Sequence, residues 1–149
     1  MNIENIALAC AKECVRQHVG LDRIAMLINA YKTAEDFSQT MIPDEFNIRQ
    51  LALIIEPHIN RFGYRTGPAV FATGVIAMDA YDIKPTMTQL CEYLDDDTYN
   101  LTPDEFTKQF LSIHPFQDGN GRVAFLLYNW LNKSLDDPKT LPNYFGEKY

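Results

Sequence analysis

Residues 114–122 combine the side-chain types that could activate a hydroxyl and hold a phosphate. His114 precedes Pro115, and a following proline disfavours helical backbone, so the preceding helix should end there and leave a titratable imidazole in a loop. Asp118 offers a carboxylate, a hard oxygen ligand of the sort that Mg²⁺ takes while it keeps waters and substrate phosphate oxygens. The sequence therefore predicts a base and a magnesium ligand as close neighbours.

The rest of this segment is suited to binding an anion. Gly119, Asn120 and Gly121 have little bulk, so their backbone N–H groups can approach a phosphate at the start of the next helix. The helix dipole favours negative charge at that end, and Arg122 adds a fork-shaped cation. Phe116 is apolar between polar neighbours, and we expect it to anchor the loop to the core.

A helix is predicted on each side of this loop. Thr102 and Glu105 form a capping box with Pro103 at the first helical position, which predicts a helix over residues 103–112. Apolar residues at helical spacing predict another helix over residues 120–133, which ends before Asp136-Asp137-Pro138. The two helices would fix the ends of the loop.

The remaining pattern predicts an all-α fold with a short β-hairpin flap. Helical spacing recurs over residues 3–15, 21–31, 43–57 and 85–94. Residues 60–71 contain Gly63, Gly67 and Pro68 among residue types that favour extended backbone, which predicts the hairpin. Residues 69–81 are apolar enough for a buried helix, although Gly74 weakens that prediction. The irregular apolar tail at residues 141–145 should pack onto the rest.

Composition limits the class of protein. The 149 residues, 46% of them hydrophobic, suit a single domain over residues 1–149. A formal charge of −7 disfavours binding to nucleic acid. Three cysteines without a CxxC pair suit reduced thiols. No signal-peptide pattern or membrane-spanning apolar run is evident, so we expect a cytoplasmic protein without a membrane partner.

Residues 114–122 read HPFQDGNGR and resemble the Fic/Doc family motif HxFx(D/E)GNGRxxR at each of these positions. The resemblance implies a Fic-like helical bundle that transfers AMP from ATP to a hydroxyl of a target protein. It implies that His114 is the general base and that Asp118 holds Mg²⁺. The implied nucleotide-binding residues are Phe116, Gly119, Asn120, Gly121 and Arg122. Residues Tyr64, Arg65 and Thr66 look like the family's target-binding flap.

One position departs from the family pattern. The final arginine of the motif, expected to hold the terminal phosphate of ATP, is replaced by Phe125. A phenylalanine can neither donate a hydrogen bond nor balance charge. Three alternatives therefore stay open: Doc-like phosphate transfer, another diphosphate-containing donor, and a catalytically silent Fic fold that acts as a protein-binding module. Doc-type members lack this arginine too, yet the Gly-Asn-Gly triplet is Fic-like.

Many Fic sites are blocked by a glutamate on an inhibitory helix with the pattern (S/T)xxxE(G/N). Neither terminal region of this sequence matches that pattern. The sequence therefore does not predict self-inhibition, and a separate inhibitory, antitoxin-like protein stays open as a partner.

Overall fold

The computed structural model describes residues 2–145, and within them the chain forms six α-helices and no β-strand. The helices are α1 (Ile3–Arg16), α2 (Ile24–Ser38), α3 (Glu45–Ile55), α4 (Ile83–Asp95), α5 (Pro103–Ile113) and α6 (Asn120–Leu131). Short 3₁₀ turns, Leu21–Arg23 and Ala80–Asp82, lead into α2 and α4. None of the described helices is long and apolar enough to cross a membrane. The all-α prediction is confirmed.

Side-chain caps fix where the helices around the site begin. The predicted capping box of α5 is present: the N–H of Glu105 donates to Thr102 Oγ1 at 3.1 Å, and the N–H of Thr102 donates to Glu105 Oε2 at 3.0 Å. Helix α3 begins with the same reciprocal arrangement between Asp44 and Asn47, at 2.8 and 2.6 Å. Because these bonds satisfy backbone N–H groups that a helix start leaves unpaired, both starts are well defined.

Helix α6 lies at the centre of the bundle. It packs against α5, α2 and α3, and ten of its twelve residues are buried. A helix that is apolar on most sides is stable only when neighbours cover it. The N-terminus of α6, which follows the glycine-rich loop, is therefore fixed by the packing of α6 in the core.

The segment between α3 and α4 differs from both predictions made for it. Residues 69–79 are not helical, and residues 60–66 form turns and irregular backbone rather than strands. The chain instead reverses between Ala69 and Ala77, whose backbone groups bond at 2.9 Å, around a single antiparallel bridge from Val70 to Ile76. Gly74 has a φ of 88°, which interrupts a helix, and both bridge residues are exposed, so a helix there would bury little apolar surface.

The C-terminal tail packs onto the helices as predicted. Leu141 is buried, and the Tyr144 hydroxyl donates to Asp104 Oδ1 at 2.7 Å, close to the start of α5. Residues 146–149 lie outside the described part of the chain.

Candidate functional site

His114 stands directly after the last residue of α5. Its N–H closes the helix by donating to the Phe110 carbonyl at 3.1 Å, while its backbone adopts φ 52° and ψ 59°. The predicted end of the helix is confirmed, and the backbone leaves it through the left-handed region, which non-glycine residues rarely adopt. The half-buried imidazole meets the ring of Phe71 edge-on, with ring centres 5.2 Å apart.

Two inward-facing side chains hold the loop that follows. The ring of Phe116 is fully buried, 5.5 Å from the Tyr64 ring and 6.4 Å from the Phe110 ring, so its predicted anchoring role is confirmed. The Asn120 side chain accepts from the Phe116 N–H at 3.0 Å and donates to its carbonyl at 2.8 Å. The Phe116 ring and the Asn120 amide therefore hold the loop in shape.

The glycine at the start of α6 is required by its surroundings. Gly119 has a φ of 82°, and a Cβ placed on it would lie 2.9 Å from Ile55 Cγ2. The next three N–H groups, those of Asn120, Gly121 and Arg122, find no acceptor within residues 2–145. Unpaired N–H groups at a helix start form an anion-binding site.

Asp118 presents its carboxylate beside this helix start. The side chain is 52% exposed, and Oδ1 accepts the Gly119 N–H at 2.7 Å and lies 3.5 Å from Arg122 Nη2. The second oxygen, Oδ2, has no partner among the described residues and is open to a cation. Asp118, His114 and the helix start share a cavity of about 210 Å³, whose other lining residues are Val70, Phe71, Ala72 and Gln117.

Arg122 is occupied by an ion pair that sequence analysis missed. Its guanidinium is 3% exposed and lies 3.0 Å from Oε1 of the equally buried Glu56. The other oxygen of Glu56 lies 3.3 Å from Arg23. The predicted nucleotide-binding arginine is therefore held by a carboxylate at the end of α3. The only signal for it in the sequence is a glutamate at the end of the apolar run before Pro57.

Asn60 is the second residue that sequence analysis missed. It is buried, and its amide donates to the carbonyls of Asp118 at 2.8 Å and Ala52 at 3.1 Å, while its oxygen accepts the Asp118 N–H at 3.4 Å. These bonds tie the backbone of the loop to α3. No pattern in the sequence distinguishes Asn60 from an ordinary turn residue.

Comparison with known proteins decides the family of this arrangement. A family model for the Fic/DOC family matches residues 46–132, more than half of the chain. The chain belongs to the Fic/DOC family. It is also similar to a Fic-domain-containing signalling protein of known structure from Bacteroides thetaiotaomicron VPI-5482, at 26% identity and a TM-score of 0.60. That match covers 74% of this chain and 47% of the other, so the chain spans about half the length of this relative. No curated protein matches.

Two of the three residues predicted for the Fic flap face inward. The Tyr64 hydroxyl donates to Glu45 Oε1 at 2.7 Å, and burial together with this carboxylate raises the pKa of Tyr64 well above its ordinary value. Arg65 is buried and bonds to main-chain carbonyls, whereas the Thr66 side chain is exposed. The segment that reaches the His114 cavity is residues 70–72, further along the chain.

Phe125, at the position of the missing Fic arginine, lies in the core. It is 2% exposed, and its ring centre lies 6.4 Å from that of Tyr31 on α2. It also borders a cavity of about 440 Å³ beside α1, and that cavity shares no lining residue with the His114 cavity. Its side chain therefore points away from the loop, although it lies one helical turn beyond Arg122.

Proposed function

We propose that this protein is a Fic-type transferase that moves AMP from ATP to a hydroxyl group on a protein. Membership of the Fic/DOC family favours a transferase that binds a nucleotide and a protein target. The observation that carries the proposal is the meeting of His114, Asp118 and the N-terminus of α6 on one cavity. That arrangement supplies a base, a carboxylate and an anion site within reach of one another.

In this reaction His114 takes the proton of the target hydroxyl. The hydroxyl oxygen forms a bond to the α-phosphorus of ATP, the bond from that phosphorus to the β-bridging oxygen breaks, and pyrophosphate leaves. His114 lies at a helix end whose neighbours on both sides are fixed, so the base is held in place before substrate binds. No covalent enzyme intermediate is required.

The phosphates would bind at the start of α6. The N–H groups of Asn120, Gly121 and Arg122 are available there, and each can donate to a phosphate oxygen as negative charge grows on it. Gly119 supplies the left-handed backbone that leads into α6, at a point where any side chain would press against Ile55.

Asp118 fits the role of a magnesium ligand. Its Oδ2 is open, its carboxylate borders the cavity, and Oδ1 is oriented by the Gly119 N–H. Mg²⁺ is commonly held by one or two carboxylates together with substrate phosphates and waters, so a single carboxylate suffices. The ion would supply positive charge to the phosphate oxygens. The chain itself contributes the orientation of Asp118 through Asn60 and Gly119.

We assign the target-binding flap to residues 69–77. Residues 72–76 of this segment are exposed, the Val70 to Ile76 bridge lies within it, and Phe71 packs against the imidazole of His114. A target segment beside it would bring its hydroxyl to the base. Thr66 lies just before this segment with an exposed side chain, whereas the buried Arg65 donates to the carbonyls of Gly67 and Met78 on either side of it.

Phe125 keeps phosphate transfer in the Doc manner, or a different diphosphate-containing donor, as the second candidate. With no arginine at this position, no side chain there can orient the terminal phosphate of ATP. A site that leaves the terminal phosphate loosely held can present either phosphorus to the hydroxyl. The catalytically silent module is the third candidate.

The test is to incubate the protein with Mg²⁺ and a cell lysate, using ATP labelled at either the α or the γ phosphate. AMP transfer attaches the α label to protein, and phosphate transfer attaches the γ label. His114→Ala should abolish labelling, because the hydroxyl loses its base. His58→Ala, which removes an exposed histidine outside the cavity, is the matched control and should leave labelling unchanged.

A further inference from the structure

Arg65 surrounds the backbone of the histidine with hydrogen bonds. Its Nε donates to the His114 carbonyl at 2.6 Å, and its Nη2 donates to the Ile113 carbonyl at 3.3 Å. Its backbone N–H donates to the Pro115 carbonyl at 2.9 Å. The carbonyls of three consecutive residues, centred on His114, therefore accept from one arginine.

The same guanidinium also binds both ends of the segment that carries the flap. Nη1 donates to the Gly67 carbonyl at 2.9 Å, and Nη2 donates to the Met78 carbonyl at 2.5 Å. Gly67 lies before residues 69–77 and Met78 directly after them. Arg65 thus stands where the base of the flap meets the end of α5, and it is buried there.

We propose that Arg65 is a positioning residue that fixes the flap relative to His114 and holds the histidine in its left-handed backbone conformation. The inference rests on the proposed function, because it assumes that His114 acts as the base and must be held near the flap. A buried arginine needs acceptors for its donors, and here all the acceptors are carbonyls of the two elements that must meet.

The planar guanidinium is the feature that makes this possible. It presents five N–H donors in a fixed fork, so the carbonyls it binds are held at set distances from one another. A lysine at this position keeps the charge, but its single ammonium has three donors and no fixed plane. Arg65→Lys should therefore loosen the link between flap and histidine without removing positive charge from beneath them.

Three measurements on Arg65→Lys test the proposal, with Arg61→Lys, an exposed arginine outside these contacts, as the matched control. Hydrogen exchange should become faster in residues 69–77 but not in residues 118–123, which Asn60 and Asn120 hold independently. The NMR chemical shifts of the His114 ring protons should differ from those of wild type, because the Phe71 ring that meets them belongs to the flap. The ATP concentration that gives half of the thermal shift in the presence of Mg²⁺ should stay within about threefold of the wild-type value.

Kinetics provide a further readout. Transfer of the label that wild type attaches should slow by about 10- to 100-fold in kcat, because a small misplacement of a reacting group costs that much. KM for ATP should change by less than about threefold, because the phosphate site is not touched. A merely structural role would instead lower protection along the whole chain and leave kcat per folded molecule unchanged, which would overturn the proposal.

The remaining outcomes are also decisive. If exchange in residues 69–77 and the His114 chemical shifts match the control, Arg65 does not position either element. If Arg65→Lys fails to fold, Arg65→Gln replaces it, and failure of both assigns Arg65 to folding and overturns positioning. If wild type transfers no label from any donor, the proposed function fails, whereas hydrogen exchange and the His114 chemical shifts still decide whether Arg65 links flap and histidine.

Discussion

Replacing Phe125 with arginine restores the family motif, but the structure predicts a loss of stability rather than a gain of activity. The Phe125 side chain is 2% exposed and packs against Tyr31, and it borders a different cavity from the one that contains His114. An arginine there would extend toward α1 and not toward the phosphates. Its guanidinium would lie near Lys12 and Arg16, which repel it, as well as near Glu13, which attracts it.

The size of the effect follows from burial. Truncating a buried phenylalanine costs about 3–5 kcal/mol, since it removes apolar contacts and leaves a void. Arginine refills part of that space, but its guanidinium must lose water and compete for Glu13, which already accepts bonds from Arg16 and Gln17. We therefore expect Phe125→Arg to cost about 3–5 kcal/mol, which for a chain of this size lowers Tm by roughly 6–20 °C.

Urea unfolding of wild type, Phe125→Arg, Phe125→Ala and Phe125→Leu measures this directly. The leucine variant is the control, because it keeps an apolar side chain of similar volume and should cost under about 1.5 kcal/mol. Labelling with α-labelled ATP, corrected for the folded fraction, should not rise in Phe125→Arg. A cost below about 1 kcal/mol together with increased labelling would show that residue 125 faces the phosphates, and the packing argument would be wrong.

Three further predictions concern charged groups. Asp118→Asn should weaken the magnesium dependence of the thermal shift given by ATP, while the shift with ATP alone stays; an unchanged dependence would remove the metal role of Asp118. Glu56→Gln removes the buried counter-charge of Arg122 and leaves it only the exposed Asp118, 3.5 Å away, so it should cost about 3–5 kcal/mol in urea unfolding; Glu56→Gln combined with Arg122→Gln should cost less than the sum of the single changes. Burial alone raises the pKa of Glu45, but hydrogen bonds from three side chains and the charge of one of them outweigh it and hold the pKa below its ordinary 4.5. The ionised Glu45 carboxylate stabilises the fold above pH 4.5, and this contribution is lost as the pH falls through its lowered pKa. The free energy of unfolding of Glu45→Gln should therefore fall less between neutral and acid pH than that of wild type.

Local signals predicted the elements next to the site well. The capping box at Thr102 marks the start of α5, and the proline after His114 marks its end. Gly119 marks the start of α6. Such features depend on neighbours a few residues apart, so they can be read from one sequence. The burial of Phe116 was also predictable, because a large aromatic side chain in a polar loop is stabilised by packing into the core.

The supports of the loop could not be predicted, because they come from distant parts of the chain. Glu56 and Asn60 reach the loop from the end of α3 and the turn after it, and Arg65 reaches it from the connection to α4. Nothing local requires a partner for any of them. The helix predicted over residues 69–81 failed for a related reason: apolar composition predicted burial, but Val70 and Ile76 are exposed.

The charge around the loop gives a physical reason to expect a metal requirement. Arg23, Glu56, Arg122 and Asp118 form a chain of alternating sign, in which two cations and two anions are joined by contacts of 3.3, 3.0 and 3.5 Å. Their charges cancel, so a triphosphate at the start of α6 meets backbone N–H groups but little net positive charge from these side chains. Phe125 adds none. We therefore expect a cation on Asp118 to provide most of the neutralisation, and nucleotide affinity should depend more steeply on Mg²⁺ than it would if an arginine side chain faced the phosphates.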